Sequence, residues 1–387
     1  MSAQAEALIR AARERTGLEE FDSDAFREPL ERMIAGIEAR SERDRIAASL
    51  GPEMIGALAN RLRVADYLRE HPELEDAPLD VPIIVMGMPR TGTTILSYLL
   101  DCDPRWRSLL NWEAVDSVPP PTLATLRSDP RCIARKELQE KILASVPFAM
   151  PHWEWADGPT ECIFVQAQDF KALSWEARVA SRDYADYLLH CDMKSAYDYQ
   201  KKVMRVLQSR APGRWALKMP SHALHFRAAL AAFPDARFLW THRNPYRALA
   251  SLGTTIATGH RFALGRVDAE FIREVYPHQI AEHANRPLRL RPGLPEDKVL
   301  DVYCGEFLKD PIAGMREIYA WLGEELPPEV EQRMRAWIDS DGERQAARPR
   351  YSLGDFGWTE ASVAAHFEEY LANHPRAADA WREETDR

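Results

Sequence analysis

At 387 residues, 45% hydrophobic and 28% charged, the chain can bury a sizeable core as one large domain or as one domain with an appendage. A formal net charge of −10 argues against a broad nucleic-acid-binding face and leaves room only for a local basic pocket. Cys102, Cys132, Cys162, Cys191 and Cys304 form no C-x-x-C or Cys/His cluster, which argues against zinc and a disulfide framework and for a reducing cytoplasm.

In chain order, MSAQAEALIRAARERTG reads as a charged amphipathic helix rather than a signal peptide. No apolar run approaches the ~18 residues of a membrane span, so peripheral association is the one membrane contact left open. Residues 1–78 read as a helical N-terminal extension, closed by the Pro- and acid-rich connector EHPELEDAPLDVP. VPIIVMGM is a short, continuously apolar segment, as expected of a buried parallel strand. After a glycine-rich turn, TTILSYLLDCD continues as a helix with Ile95, Leu96, Leu99 and Leu100 on one face, stopped at Asp103-Pro104.

Residues 111–210 read as a largely helical insertion, with SVPPPT extended. Strand signals return at RWALKM (214–219), ARFLWTH (236–242) and KVLDVY (298–303), separated by helices such as SHALHFRAALAAFP and the one starting at NPYRALASLGT. Asp310 caps a further helix with Pro311 in its first turn and an apolar stripe of Ile312, Met315, Ile318, Tyr319 and Leu322. Strands alternating with helices predict an α/β fold: a P-loop NTPase-like, mostly parallel sheet flanked by helices, over residues 79–387.

The turn itself, GMPRTGTT, has the glycine spacing of G-x-x-x-x-G-K-[ST], but Thr93 stands where the lysine belongs. A turn from strand to helix N-terminus aims backbone N–H groups and the helix dipole at one point, so an anion binds there without a lysine. Thr93 and Thr94 add hydroxyl donors, and Arg90 adds a planar fork. Loss of the lysine that reaches β/γ phosphates suggests a ligand without a triphosphate.

These residues resemble the 5′-phosphosulfate loop of sulfotransferases that use 3′-phosphoadenosine 5′-phosphosulfate (PAPS), in particular the bacterial members with an arginine-type loop. The resemblance spans roughly residues 80–360 and leaves the first 78 outside. It implies that Arg90, Thr91, Gly92, Thr93 and Thr94 hold the 5′-phosphosulfate. THRNPYRALAS resembles the family's 3′-phosphate motif, with Arg243 at a strand's C-terminal edge and Ser251 about two helical turns on. Lys218, at the end of another strand, corresponds to a lysine that bonds the leaving phosphate and sulfonyl oxygens. RPRYSLGDFGWT resembles a bacterial segment whose Arg348, Arg350 and Tyr351 close over the donor. Where many members place an aromatic residue, this chain has Cys304, with Tyr303 beside it.

Sulfonyl transfer needs an acceptor hydroxyl in line with sulfur, donors for the developing charge, and a base. Arg90 and Lys218 are the electrostatic candidates. His222, in KMPSH, is favoured as base because imidazole titrates near neutrality and many bacterial members carry a histidine there. Glu113, in LLNWEAV, is its rival: the tyrosylprotein enzymes place a glutamate about two residues out of register with it. Glu161 is a third carboxylate able to face the acceptor. The expected reaction yields a sulfate ester and adenosine 3′,5′-bisphosphate without a metal. Aromatic-rich stretches between residues 106 and 175 suggest a small lipophilic acceptor, such as a steroid, polyketide or lipid alcohol. A P-loop small-molecule kinase and a non-catalytic nucleotide-binding scaffold are the alternatives.

Overall fold

The structure, a computed structural model, describes residues 1–145, 154–340 and 351–378. The elements run α1 (Ala3–Thr16), α2 (Arg27–Glu38), α3 (Arg43–Glu70), β1 (Ile83–Gly87), α4 (Thr93–Asp101), β2 (Trp106–Ser108), α5 (Asn111–Val115), α6 (Pro130–Ser145), α7 (Ile163–Gln166), α8 (Leu173–Val179), α9 (Arg182–His190) and α10 (Lys194–Gln208). There follow β3 (Arg214–Lys218), α11 (Phe226–Ala232), β4 (Arg237–His242), α12 (Pro245–Ala263), α13 (Ala269–Leu290), β5 (Val299–Tyr303), α14 (Cys304–Phe307), α15 (Pro311–Leu322), α16 (Pro328–Ser340) and α17 (Glu360–Asn373).

The sheet has the order β2-β3-β1-β4-β5, with every pair parallel. All five residues of β1 are buried, as its unbroken apolar run requires of a central strand covered on both faces. Its register sets Val85 against Lys218 on β3 and Gly87 against Thr241 on β4, so the anion loop, Lys218 and Arg243 emerge at one sheet edge. Strand order reverses about β1: the chain moves to β3 on one side and β4 on the other. Open α/β sheets bind ligands at that switch point.

Two helices carry the phosphate motifs. Gly92 caps α4 with φ +94°, in the left-handed region. Asn244 caps α12, its side chain accepting from the N–H groups of Tyr246 and Arg247, with Pro245 pre-set for the first turn. The predicted cap at Asp310 forms as well, accepting from the N–H of Ala313. In α4, Leu96, Leu99 and Leu100 enter the core, while Ile95 turns to a cavity instead.

Helices α1–α3 share one apolar cluster with α8, α9, α12, α13 and α17: Ile9, Leu30, Met54, Trp175, Ile256 and Phe367 are all part of it. Arg61, 1% exposed, ties the layers by bonding Asp22 at 2.7 Å and Asp169 at 2.8 Å. The C-terminal helix is held through His242, which meets Tyr370 Oη at 3.1 Å and Asp301 at 3.0 Å, and through His374, which meets Tyr303 Oη at 2.9 Å.

Candidate active site

A cavity of about 1540 Å³ opens at the C-terminal edge of β1, β3 and β4. Single-ligand clefts occupy roughly 300–1,000 Å³, so this volume suits two reactants side by side.

The anion loop forms one end. Gly87 lets the backbone of β1 run against β4: a Cβ there would sit 2.6 Å from the carbonyl oxygen of Thr241. Thr91 Oγ1 donates to Met88 O at 2.6 Å and lies 2.5 Å from Thr241 Oγ1. Its hydroxyl therefore braces the loop from behind and, unlike Gly92, Thr93 and Thr94, Thr91 does not line the cavity. Arg90 adopts φ +70°, a left-handed conformation costly for a side chain and kept only where its surroundings enforce it. The enforcing contacts are on α12 and just before it: Arg90 Nε donates to Ser251 Oγ at 3.1 Å, and Arg243 Nη1 donates to Arg90 O at 2.9 Å. The glycine-rich loop and the Arg243/Ser251 segment are thus bonded to each other.

Arg247 completes this end. It lies one helical turn after Arg243 and lines the cavity with Arg90, Arg243 and Tyr351. Burial pushes the Tyr351 phenol up, but the guanidinium of Arg243, then that of Arg247, outweighs it and holds the pKa below the ordinary tyrosine value. Such positive potential suits a phosphate. Sequence reasoning passed over Arg247, although its i,i+4 spacing from Arg243 was a usable signal. Arg348 and Arg350 lie outside the described residues.

Behind the cavity wall Lys218, 2% exposed, ends β3; it does not itself line the cavity and meets it through the carboxylates it holds. Its Nζ donates to Glu154 at 2.8 Å and to Glu161 at 3.1 Å. Burial pushes the lysine down, yet the two carboxylates outweigh it and hold its pKa above the usual lysine range. Burial pushes Glu161 up, and Lys218 offsets this only in part. A carboxylate so raised is a better proton acceptor than a solvated one. Both glutamates line the cavity.

Neither predicted base reaches the cavity. Glu113 is 0% exposed and accepts from both terminal nitrogens of Arg107, at 2.8 and 2.6 Å, and from the N–H of Leu110 at 2.9 Å. Those bonds make it a buried cap and ion-pair partner. His222 is also 0% exposed; its Nδ1 lies 2.7 Å from Tyr197 Oη, and burial pushes its pKa down to about 3. An imidazole that resists protonation so strongly and does not line the cavity is poorly placed to take a substrate proton. Ser221, its neighbour, does line the cavity.

The aromatic stretches contribute less than expected. Trp106 and Trp112 are buried in apolar clusters, and Trp175 is the tryptophan between residues 106 and 175 that lines the cavity among those described. The apolar wall comes from Ile163, Phe164 and Leu173 of the same stretch, joined by Ile95, Leu252 and Ile256. Pro52, Gly56 and Ala57 of α3 also line it, so the N-terminal helices shape the chamber. Cys304 packs against the anion loop: a Cβ on Gly92 would lie 3.0 Å from its sulfur. Gly92→Ala combines this clash with a left-handed φ and is expected to lower the unfolding free energy by about 1–2 kcal/mol. Urea denaturation checks this, and an unchanged midpoint would refute it.

The sulfotransferase family model matches residues 82–328. Among solved structures, sulfotransferase STF9 from Mycobacterium avium is 41% identical, with a TM-score of 0.84, over 95% of this chain and 96% of that one. Sulfotransferase STF1 from Mycobacterium tuberculosis H37Rv is 26% identical, with a TM-score of 0.82, over 95% and 98% of the two chains. A comparison with curated proteins found no match. With a family match across more than half its length and a fold shared from end to end with two sulfotransferases, this chain belongs to the sulfotransferase family and is a transferase enzyme.

Proposed function

We propose that the enzyme transfers the sulfonyl group of PAPS to the hydroxyl of a small, largely apolar alcohol, giving a sulfate ester and adenosine 3′,5′-bisphosphate. The observation that supports this most is the bonded pair of anion sites, Arg90 with its loop and Arg243 with Arg247 and Ser251. A nucleotide with one 5′ phosphosulfate and one 3′ phosphate matches two such sites. The loop's lack of a lysine disfavours the kinase alternative, and Lys218 with its two carboxylates disfavours a scaffold without chemistry.

In this reading the amides of residues 91–94 and the Arg90 guanidinium hold the 5′-phosphosulfate, while Arg243, Arg247, Ser251 and Tyr351 hold the 3′ phosphate. Glu161 takes the acceptor's hydroxyl proton as the new O–S bond forms. Lys218 donates to the oxygen released when the old S–O bond breaks, and Arg90 balances charge on the sulfonyl oxygens. Glu154 keeps Lys218 aimed. Positioning and electrostatics supply most of the rate, as in phosphoryl transfer. The apolar wall favours a lipophilic acceptor.

Calorimetry with adenosine 3′,5′-bisphosphate tests the donor site. Arg247→Ala, which spares the bond from Arg243 to the loop, is expected to weaken binding about 30-fold or more, as loss of one partner of a desolvated charge pair does. Affinity for adenosine 5′-phosphosulfate, which lacks the 3′ phosphate, should change little. Equal losses for both ligands, or none for either, would contradict the assignment.

A further inference from the structure

Four arginines outside the proposed donor site line the cavity: Arg15 is exposed, Arg63 and Arg178 face Asp116 and Glu53, and Arg135 stands apart from them. Arg135, half-buried on α6, lines the chamber. Its Nε donates to Asn111 Oδ1 at 2.7 Å, and its terminal nitrogens have no hydrogen-bond or ion-pair partner among the described residues. Buried arginines elsewhere in this chain share their fork with carboxylates: Arg107 with Glu113, and Arg61 with Asp22 and Asp169. The carboxylates nearest to Arg135 in charge interaction are Glu53 and Asp116. Both are engaged elsewhere, Glu53 by Arg178 at 2.9 Å and Asp116 by Arg63 at 3.6 Å. Burial pushes the pKa of Arg135 down, which is the signature of a charge without sufficient compensation.

Arg135 is also wired to the reacting centre. Asn111, whose amide oxygen it holds, donates to Thr160 Oγ1 at 3.2 Å; Thr160 donates to Glu154 at 2.5 Å; Glu154 accepts from Lys218 at 2.8 Å. Gln139, one turn along α6, donates to the same Asn111 oxygen at 3.2 Å and fixes it. The guanidinium is therefore held at a set offset from Lys218 and Glu161. Apolar side chains such as Ile163, Phe164 and Leu173 line the chamber with it.

Resting on the reading of Glu161 and Lys218 as the reacting centre, we propose that the acceptor is an amphipathic alcohol bearing a carboxylate, which Arg135 grips while the hydroxyl lies at Glu161. A planar fork with two unshared donor nitrogens suits a carboxylate's two oxygens. The apolar stretch between the two polar ends suits an alkyl or ring body.

The test pairs ω-hydroxy acids of eight, ten and twelve carbons with α,ω-diols of the same lengths, using labelled PAPS. In the native enzyme at least one acid is expected to show a KM about tenfold below its matched diol. Arg135→Gln, which can still donate to Asn111, should raise the acids' KM by about tenfold or more and leave the diols within about twofold. Arg135→Lys should recover part of the acids' affinity. Diols favoured over acids at every length, or equal losses for both series in Arg135→Gln, would overturn the proposal. So would acids that neither react nor compete with a reacting acceptor. Affinity for adenosine 3′,5′-bisphosphate is measured in parallel: if the native enzyme fails to bind it, the donor-site reading falls and this proposal with it, whereas intact binding with indifferent acids removes this proposal alone.

Discussion

Replacing Lys218 by methionine is expected to lower kcat by about a thousandfold while leaving affinity for adenosine 3′,5′-bisphosphate nearly unchanged. The lysine ends β3 at 2% exposure and is held in place by Glu154 and Glu161. A preorganised donor of that kind costs no reorganisation when charge develops on the leaving oxygen, which is why its removal is felt in turnover rather than in binding. Methionine keeps most of the side chain's volume. The two glutamates left facing each other keep access to the cavity, so one of them takes up a proton and the fold survives. Glu161→Gln should cost about a hundredfold or more in kcat, as loss of a general base does. The double variant should be little worse than Lys218→Met, because groups acting in one step are not additive. A Lys218→Met enzyme within about tenfold of native kcat would remove the lysine from the reaction.

The second large effect is on stability. His222, His260 and His283 are 0% exposed and His374 is 5% exposed. Burial pushes the first down to about 3 and the other three to about 4. Below pH 6.5 the unfolded chain takes up protons at these rings, while the native fold refuses them until pH 3–4. Stability present above pH 6.5 is therefore lost as the pH falls. At pH 5 each ring costs about 2 kcal/mol. Glu176 works in the opposite direction: burial pushes it up to about 8, so the native state holds that proton more tightly than the unfolded chain and gains as pH falls from 8 towards 4.5. Between pH 7.5 and pH 5 it returns about 3 kcal/mol, or roughly one and a half histidines. The remaining loss, on the order of 5 kcal/mol, is comparable with the whole stability of many domains. Thermal denaturation at pH 7.5 and pH 5.0 should show a large drop in midpoint, reduced in His283→Gln. A midpoint that holds between those two values would contradict it.

The parts of this enzyme that could be read from its sequence are those whose signals are local. Four of the five strands announce themselves as apolar runs, and Lys218 and Arg243 are recognisable because each stands at or just beyond a strand's end. β2 escapes because three residues, Trp106–Ser108, are too few for a periodicity. Glu113 and His222 have the right neighbours in sequence, but partners outside their motifs decide where they point. Arg107 comes round to cap the first, and Tyr197, 25 residues earlier, draws the second inward. Glu154 and Arg135 belong to no motif at all; only the folded insertion sets them beside Lys218 and Asn111. The same holds for α3, whose sequence is an ordinary amphipathic pattern until packing presents Pro52 and Gly56 to the chamber.

The bond from Arg243 to the carbonyl of Arg90 joins residues 153 positions apart. Its consequence is that the protein carries a ruler. On the proposed donor reading, the span between the two anion sites is set by the scaffold, so a nucleotide is selected by the distance between its phosphates. An adenylate without a 3′ phosphate, on the same reading, engages one of the two sites and is expected to bind more weakly.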